Sequence, residues 1–246
     1  MNRNHWFAAV LTAAALPAMA VEAAIVTFSD GTEGFTGSGR SFIARRMGND
    51  RPGYRTRFED FGIAYTSSSN AAFVGDYTAL SALEIGLDVK ALSVNFSGVQ
   101  VTRDLIVELR DYDNAPDGMP YVSVWARLGT LDASQADWAT WSVKITDTSA
   151  TALPTGWGGY GAEDPVTYEP TLPADRSFAS VLAGVDEIAF TTIVPGYFYG
   201  FTKFDVVVDN LFIRPLAAVP EAPAALLMLA GLAGLGVARR RAFKPR

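Results

Sequence analysis

Cysteine is absent from these 246 residues, and histidine occurs once, at His5. Without thiols there are neither disulfides nor thiolate metal sites, so stability has to come from packing. If the first two dozen residues are removed as a leader, the remaining chain holds no histidine either. That excludes Ser-His-Asp and Cys-His catalysis, zinc sites of the usual ligand types, and the side chain best suited to proton transfer near neutral pH. Carboxylate chemistry and a Lys/Tyr scheme are what remain open to an enzyme. Positive charge is also scarce in the middle of the chain. Residues 24–219 carry 14 Lys and Arg against 24 Asp and Glu, a formal charge of −10. Such a surface repels phosphate backbones, so no nucleic acid partner is expected.

Uncharged apolar runs of any length are confined to the two ends. Arg3 precedes the apolar stretch Trp6 to Leu16, and Ala18-Met19-Ala20 supplies small residues around a cleavage point, with cleavage after Ala23 as the alternative. Together these are the parts of a secretory signal peptide, assigned to residues 1–23 and implying the Sec export machinery as a partner. At the other end, Ala224 to Ala238 is a fifteen-residue run without charge, followed by Arg239, Arg240 and Arg241. As a helix it reaches about 22 Å, short of the ~30 Å hydrocarbon core, though flanking arginines can snorkel. Gly231, Gly234 and Gly236 punctuate it, as is common in membrane helices, and the basic end holds the cytoplasmic side. A short C-terminal transmembrane helix is expected over 224–238, with a basic end over 239–246.

Ahead of that run stands Val219-Pro220-Glu221-Ala222-Pro223. A Pro-Glu-Pro-like element, a short apolar helix and a terminal arginine cluster resemble the PEP-CTERM sorting signal of Gram-negative bacteria. The resemblance covers residues 217–246, about a tenth of the chain, and departs from the usual motif where Ala222 intervenes. It implies an exosortase-type processing enzyme as partner, reading Val219, Pro220, Glu221, Pro223 and Arg239, Arg240 and Arg241. It also implies anchoring in the inner membrane before processing, a cell-surface or extracellular location afterwards, and association with exopolysaccharide or biofilm matrix.

Residues 24–216 are long enough for one domain with a sizeable core. Ala24 to Ser29 reads as a first strand, and the stretch Phe28 to Phe35 resembles the opening of extracellular jelly-roll and laminin-type modules. Residues 36–60 are loop-rich and carry Arg40, Arg45, Arg46, Arg51, Arg55 and Arg57. These either pair with the domain's own carboxylates or form a patch for an anionic polysaccharide. From Ser67 onward short β-like runs alternate with turn residues: Phe73–Tyr77, Ala82–Asp88, Ala91–Ser97, Val101–Tyr112, Tyr121–Leu128, Trp138–Thr146, Val185–Ile193 and Phe204–Ile213. The spacing predicts an all-β fold, an antiparallel β-sandwich of jelly-roll-like type. Asp209-Asn210 breaks the alternation of the last run, as a bulge does.

Carboxylates cluster in Asp111-Tyr112-Asp113-Asn114-Ala115-Pro116-Asp117-Gly118. The oxygen ligands suit calcium, but Ala115 and Pro116 stand where an EF-hand needs a ligand and its glycine, and turns favour the same residues. No cofactor is expected beyond a structural calcium left open at Asp111, Asp113 and Asp117, or at Asp30, Glu33 and Asp209. Asp104 and Glu108 share a strand face about 13 Å apart, too far for the ~5–9.5 Å of glycosidase pairs. A non-enzyme is expected.

Strand parity sorts the tryptophans. Val122, Val124, Ala126 and Leu128 take one face, which leaves Ser123, Trp125 and Arg127 on the other. Trp141, Val143 and Ile145 point to the core, while Trp138 starts on the polar side. Trp157 and Tyr160 lie among glycines in the Pro/Gly-rich stretch Thr148 to Asp175, long for a structureless connection. Sugars stack their C–H faces on aromatic rings, so Trp125, Trp138, Trp157 and Tyr160 are the candidate glycan platform. The expected function is a non-catalytic surface or matrix β-sandwich, with a carbohydrate-binding module as the alternative and a carboxylate-dependent glycan-active enzyme behind both.

Overall fold

The computed structural model describes residues 23–50, 52–134 and 137–216. The expected signal peptide, the sorting signal with its apolar run, and Arg51 lie outside the described residues. Within them no helix is long and apolar enough to cross a membrane.

Two antiparallel sheets carry the chain. One runs β10 (Ala139–Ile145), β6 (Leu83–Phe96), β15 (Thr202–Pro215), β4 (Gly53–Asp60) and β3 (Ser41–Ala44), with β1 (Ala24–Val26) beside β15 and β7 (Val99–Gln100) beside β6. The other runs β11 (Trp157–Tyr160), β9 (Val122–Leu131), β8 (Arg103–Asp111), β14 (Glu187–Thr191), β5 (Ala64–Ser67) and β2 (Thr36–Gly37). A small hairpin, β12 (Ala162–Glu163) with β13 (Pro170–Thr171), and one short helix, α1 (Phe178–Leu182), lie in the connections. Helix α1 exists because Ser177 and Ser180 form a reciprocal capping box and Phe178, Val181 and Leu182 are buried.

A single core lies between the sheets, as alternation requires. Leu83, Ile85, Leu87 and Val89 of β6 and Phe204, Val206 and Val208 of β15 meet Leu105, Val107 and Leu109 of β8 and Val122, Val124 and Ala126 of β9. The β-sandwich is therefore as expected. The expected run Phe73–Tyr77 is a turn with one bridge, Gly75 to Val185, leading into a 3-10 turn at Tyr77–Ala79. Ala82–Asp88 and Ala91–Ser97 are one fourteen-residue strand, β6, whose register with β15 shifts at Asp205/Val206. The second shift falls between Asp209 and Phe212, with Asn210 at φ 48°, and is the bulge anticipated at Asp209-Asn210.

Residues 36–60, expected to be loop-rich, instead carry β2, β3 and the eight-residue β4, and the stretch Thr148 to Asp175 departs as well. Trp157–Tyr160 is an edge strand, paired with β9 through Trp157↔Ala126 and Tyr160↔Ser123. Its glycines hide it from propensity, since glycine weakens strands that have no close neighbour to accommodate. Here both have one. A Cβ on Gly158 would stand 2.4 Å from the Trp125 ring, and one on Gly159 would stand 2.7 Å from Leu172.

Candidate functional site

The outer face of the second sheet is where polar and aromatic side chains gather. Register places Gly158, Trp125, Glu108 and Ala189 in one row across β11, β9, β8 and β14. Beside it run Tyr160, Ser123, Arg110 and Glu187. The parity reading of β9 is correct: Trp125 is half-buried on the outer face with Ser123 and Arg127.

Glu108 is fully buried yet completely partnered. One carboxylate oxygen accepts from the Ser123 hydroxyl at 2.7 Å, and the other accepts from Arg110 Nε at 2.9 Å and Nη2 at 2.6 Å. Arg110 Nη1 reaches Glu187 at 2.6 Å, and its guanidinium lies 4.9 Å from the centre of the Tyr121 ring. Burial by itself lowers the Arg110 pKa, but the Glu108 and Glu187 carboxylates outweigh it and hold the group above its ordinary value. Burial, helped by the Glu108 charge, pushes the Tyr121 phenol well up. Tyr112, Tyr121 and Tyr160 stack in sequence, with centroids 5.4 and 5.1 Å apart. Both Glu108 oxygens are engaged and the side chain is buried, so it does not face solvent as a free carboxylate.

Beyond that network the face opens into a cleft with Trp125 as its floor. One wall is the tip of the β12–β13 hairpin. Asp164 Oδ1 accepts the backbone N–H groups of Val166 and Thr167, each at 2.8 Å, and the Asp164 carbonyl accepts that of Tyr168 at 2.9 Å. These bonds hold the Asp164 carboxyl below its ordinary pKa. The turn sets Tyr168 at φ 61°, a left-handed conformation costly for an aromatic residue, yet leaves its side chain 75% exposed. The opposite wall is the loop after β14, where Tyr197 N–H donates to the Val194 carbonyl at 3.0 Å and the Tyr197 ring stays 66% exposed. The two walls touch at Gly196, whose φ is 80° and where a Cβ would stand 2.6 Å from Pro170.

The cleft has two lobes that share Trp125 and Tyr197. The larger, about 470 Å3, lies over Trp125 and Gly158 between Tyr168 and Tyr197. The smaller, about 240 Å3, extends past Arg127 and Asp104 to Tyr199. Both fall near the usual range of ligand pockets. The indole lies across Gly158 because that residue has no side chain, and Trp125 Nε1 is buried without an acceptor among the described residues. Another opening, about 510 Å3 beside Phe28, Ile43 and Arg45, offers no comparable platform, because Phe28 is fully buried.

The platform expected from sequence is thus only partly assembled. Trp125 is on it. Trp157 is not: it faces inward at 9% exposure and packs edge-on against Phe178 at 5.0 Å. Parity along β11 sends Trp157 and Gly159 to the core and Gly158 and Tyr160 outward, which is why the neighbouring tyrosine does reach the outer face. Trp138 precedes β10, the edge strand of the other sheet, and so does not share a face with Trp125. Tyr168, Tyr197 and Tyr199 were not anticipated. They sit in stretches rich in proline, glycine and threonine, the same setting that drew attention to Trp157.

The calcium candidates do not come together. Asp111 accepts the backbone and side-chain N–H groups of Asn114 at 2.9 and 2.8 Å, capping its own turn, while Asp113 and Asp117 are exposed. Asp30 is exposed, Glu33 is half-buried, and Asp209 is buried on β15, accepting from Asn210 at 2.8 Å and Asp50 at 3.2 Å. Burial lifts the Asp209 carboxyl above its ordinary pKa. Among the described residues no three carboxylate, histidine or cysteine side chains form a metal cluster. The arginine-rich segment also divides. Arg55 forks onto Asp205 at 2.7 and 2.6 Å and Arg57 joins it at 3.5 Å, on the other sheet from the cleft, whereas Arg40, Arg45 and Arg46 are exposed.

No family model and no curated protein matches the chain. Among solved structures it is similar to an exo-β-agarase, at 11% identity and a TM-score of 0.47, covering 80% of this chain and 26% of the agarase. It is also similar to a family 22 carbohydrate-binding module of Clostridium thermocellum, at 10% identity and a TM-score of 0.43, covering 82% and 99%. A carbohydrate esterase from a Shiga toxin-encoding bacteriophage is similar at 12% identity and a TM-score of 0.41, covering 80% and 99%. The chain spans about a quarter of the agarase. At these scores nothing about ligand or activity passes from those proteins to this one.

Proposed function

We propose that this chain is an exported, non-catalytic β-sandwich protein that holds carbohydrate in the cleft over Trp125. One observation carries the reading: an indole packed against the glycine of the next strand, in a cleft also lined by the exposed Tyr168 and Tyr197. Pyranose rings are bound through just this combination of apolar ring faces and hydrogen-bonding groups at their edges. A protein core gains nothing from Tyr168 and Tyr197 left in water, and the strained backbone at Tyr168 has no packing role to explain it.

The non-catalytic part of the reading rests on the carboxylates nearby. Glu108 is sealed by Ser123 and Arg110, and Asp104 is paired with Arg127 at 2.9 Å. Neither is a free acid or base facing the lobes, and the exposed Glu169 on the larger lobe has no second free carboxylate beside it in the lining, where glycosidase chemistry uses a pair. Export and processing by an exosortase-type enzyme, with residence at the cell surface afterwards, rest on the N-terminal leader pattern and on the ordered motif, apolar run and arginines of the tail.

Screening the full chain on a glycan array, beside its Trp125→Ala variant, tests the binding reading. Signals that disappear with the indole support it. Silence across the array, or signals indifferent to Trp125, would leave a structural matrix protein in its place.

A further inference from the structure

The charges around the cleft carry its chemistry one step further. Among the described residues, the cation lining either lobe is Arg127, and it is already spent. Its Nε donates to Asp104 Oδ1 at 2.9 Å, Nη2 donates to the Thr130 hydroxyl, and that hydroxyl donates to the same Asp104 oxygen at 2.8 Å. Arg103 lines neither lobe: its guanidinium lies 4.6 Å from the Tyr199 ring centre and donates to the Thr102 carbonyl and the Thr202 hydroxyl, each at 2.8 Å. The remaining charged group on the larger lobe is the exposed carboxylate of Glu169. An anionic chain would therefore set its carboxylates or sulfates against Glu169 and Asp104 with the paired Arg127 as the cation lining the lobes, inside a domain whose formal charge is already −10. Like charges brought together at a partly dehydrated surface are a means of rejecting a ligand, not only of failing to attract it.

We propose that the cleft over Trp125 selects uncharged polysaccharide and excludes uronic-acid and sulfated chains, with the Arg127–Asp104 pair as the element that sets this preference. This rests on the carbohydrate-binding reading above. The two lobes meet at Trp125 and Tyr197, so the chain passes over the indole and is held along its interior. Sugar hydroxyls meet Asp104, Arg127 and Glu169 as neutral donors and acceptors, which a paired or solvated charge tolerates.

Affinity electrophoresis of the full chain tests this, in gels containing xylan, hydroxyethyl cellulose or agarose on one side and alginate, polygalacturonate or dextran sulfate on the other. The wild type is expected to be retarded by at least one neutral polymer and by none of the anionic ones. Trp125→Ala loses roughly tenfold or more in affinity, the scale of one stacking contact plus its buried area. Asp104→Asn uncovers Arg127, and is expected to gain retardation by an anionic polymer that fades with added salt, while thermal unfolding shows that the variant is folded. Trp125-dependent retardation of the wild type by an anionic polymer would overturn the selectivity while leaving carbohydrate binding intact. So would a folded Asp104→Asn variant that gains nothing. Absence of retardation by every polymer contradicts the binding reading itself.

Discussion

Trp125 and Trp157 are 32 positions apart in the chain and nearly opposite in role, although their side chains rise from neighbouring strands. Trp157 fills the core against Phe178, so Trp157→Ala should cost about 3–5 kcal/mol of stability, read as an earlier denaturation midpoint. Trp125 lies outside the core cluster, and Trp125→Ala is expected to shift stability by no more than about 1 kcal/mol while removing glycan binding. Gly158→Ala is the finer test. The new methyl would stand 2.4 Å from the indole, while the backbone there has no need of glycine's left-handed freedom. Tilting the indole should shift the tryptophan emission and weaken binding with little loss of stability. Unchanged emission and affinity would mean that the packing of the indole on Gly158 is incidental. Glu108 belongs at this scale too. Glu108→Ala leaves Arg110 with Glu187 alone and the buried Ser123 hydroxyl without its acceptor, and a loss of about 1–3 kcal/mol is expected on chemical denaturation.

Elements explain what could be read in advance and what could not. The alternation in Leu105, Val107 and Leu109 and in Val122, Val124 and Ala126 is clean, and it placed Trp125 on the outer face correctly. β11 was illegible for a physical reason. Gly158 and Gly159 depress strand propensity, and what they make room for, an indole on one side and Leu172 on the other, belongs to other segments of the chain. The same blindness put Trp157 on the platform. Parity cannot be applied to a strand that has not been recognised. Tyr168 and Tyr197 depend on loops whose positions come from long-range contact between Pro170 and Gly196, which no local pattern reports. The hairpin tip makes its own prediction. Asp164→Ala removes the acceptor for Val166 and Thr167 at a hairpin tip outside the core, so it should weaken glycan binding through Tyr168 and leave the unfolding transition in place. A large drop in stability would show the hairpin to be structural.

At the scale of the molecule, β15 joins the parts. It pairs with β6 on one side and with β4 and β1 on the other, and Ala24 sits opposite Ile213. On the outer side of that sheet Glu84 accepts from Ser142 at 2.6 Å and from Arg214 at 3.0 and 2.8 Å. Burial raises its pKa, but the bonds from Ser142 and Arg214 outweigh that and leave it below the ordinary value. A depressed carboxyl stabilises the fold above its unfolded pKa, about 4.3, and loses that contribution as pH falls through the folded value. Glu84→Gln should therefore be less stable than wild type near neutral pH and converge with it in acid. A deficit that persists into strong acid would contradict the ion-pair origin. The processing reading is tested on the same whole chain: deleting residues 219–246 should abolish retention in the membrane fraction without affecting glycan binding. The central claim, that the domain works by holding sugar over Trp125, meets its most direct test in isothermal titration calorimetry of the full chain with neutral oligosaccharides of increasing length. Saturable binding that strengthens with chain length and disappears in Trp125→Ala is the expected result; a flat titration with every neutral and anionic glycan tried, on protein shown to be folded, would contradict it.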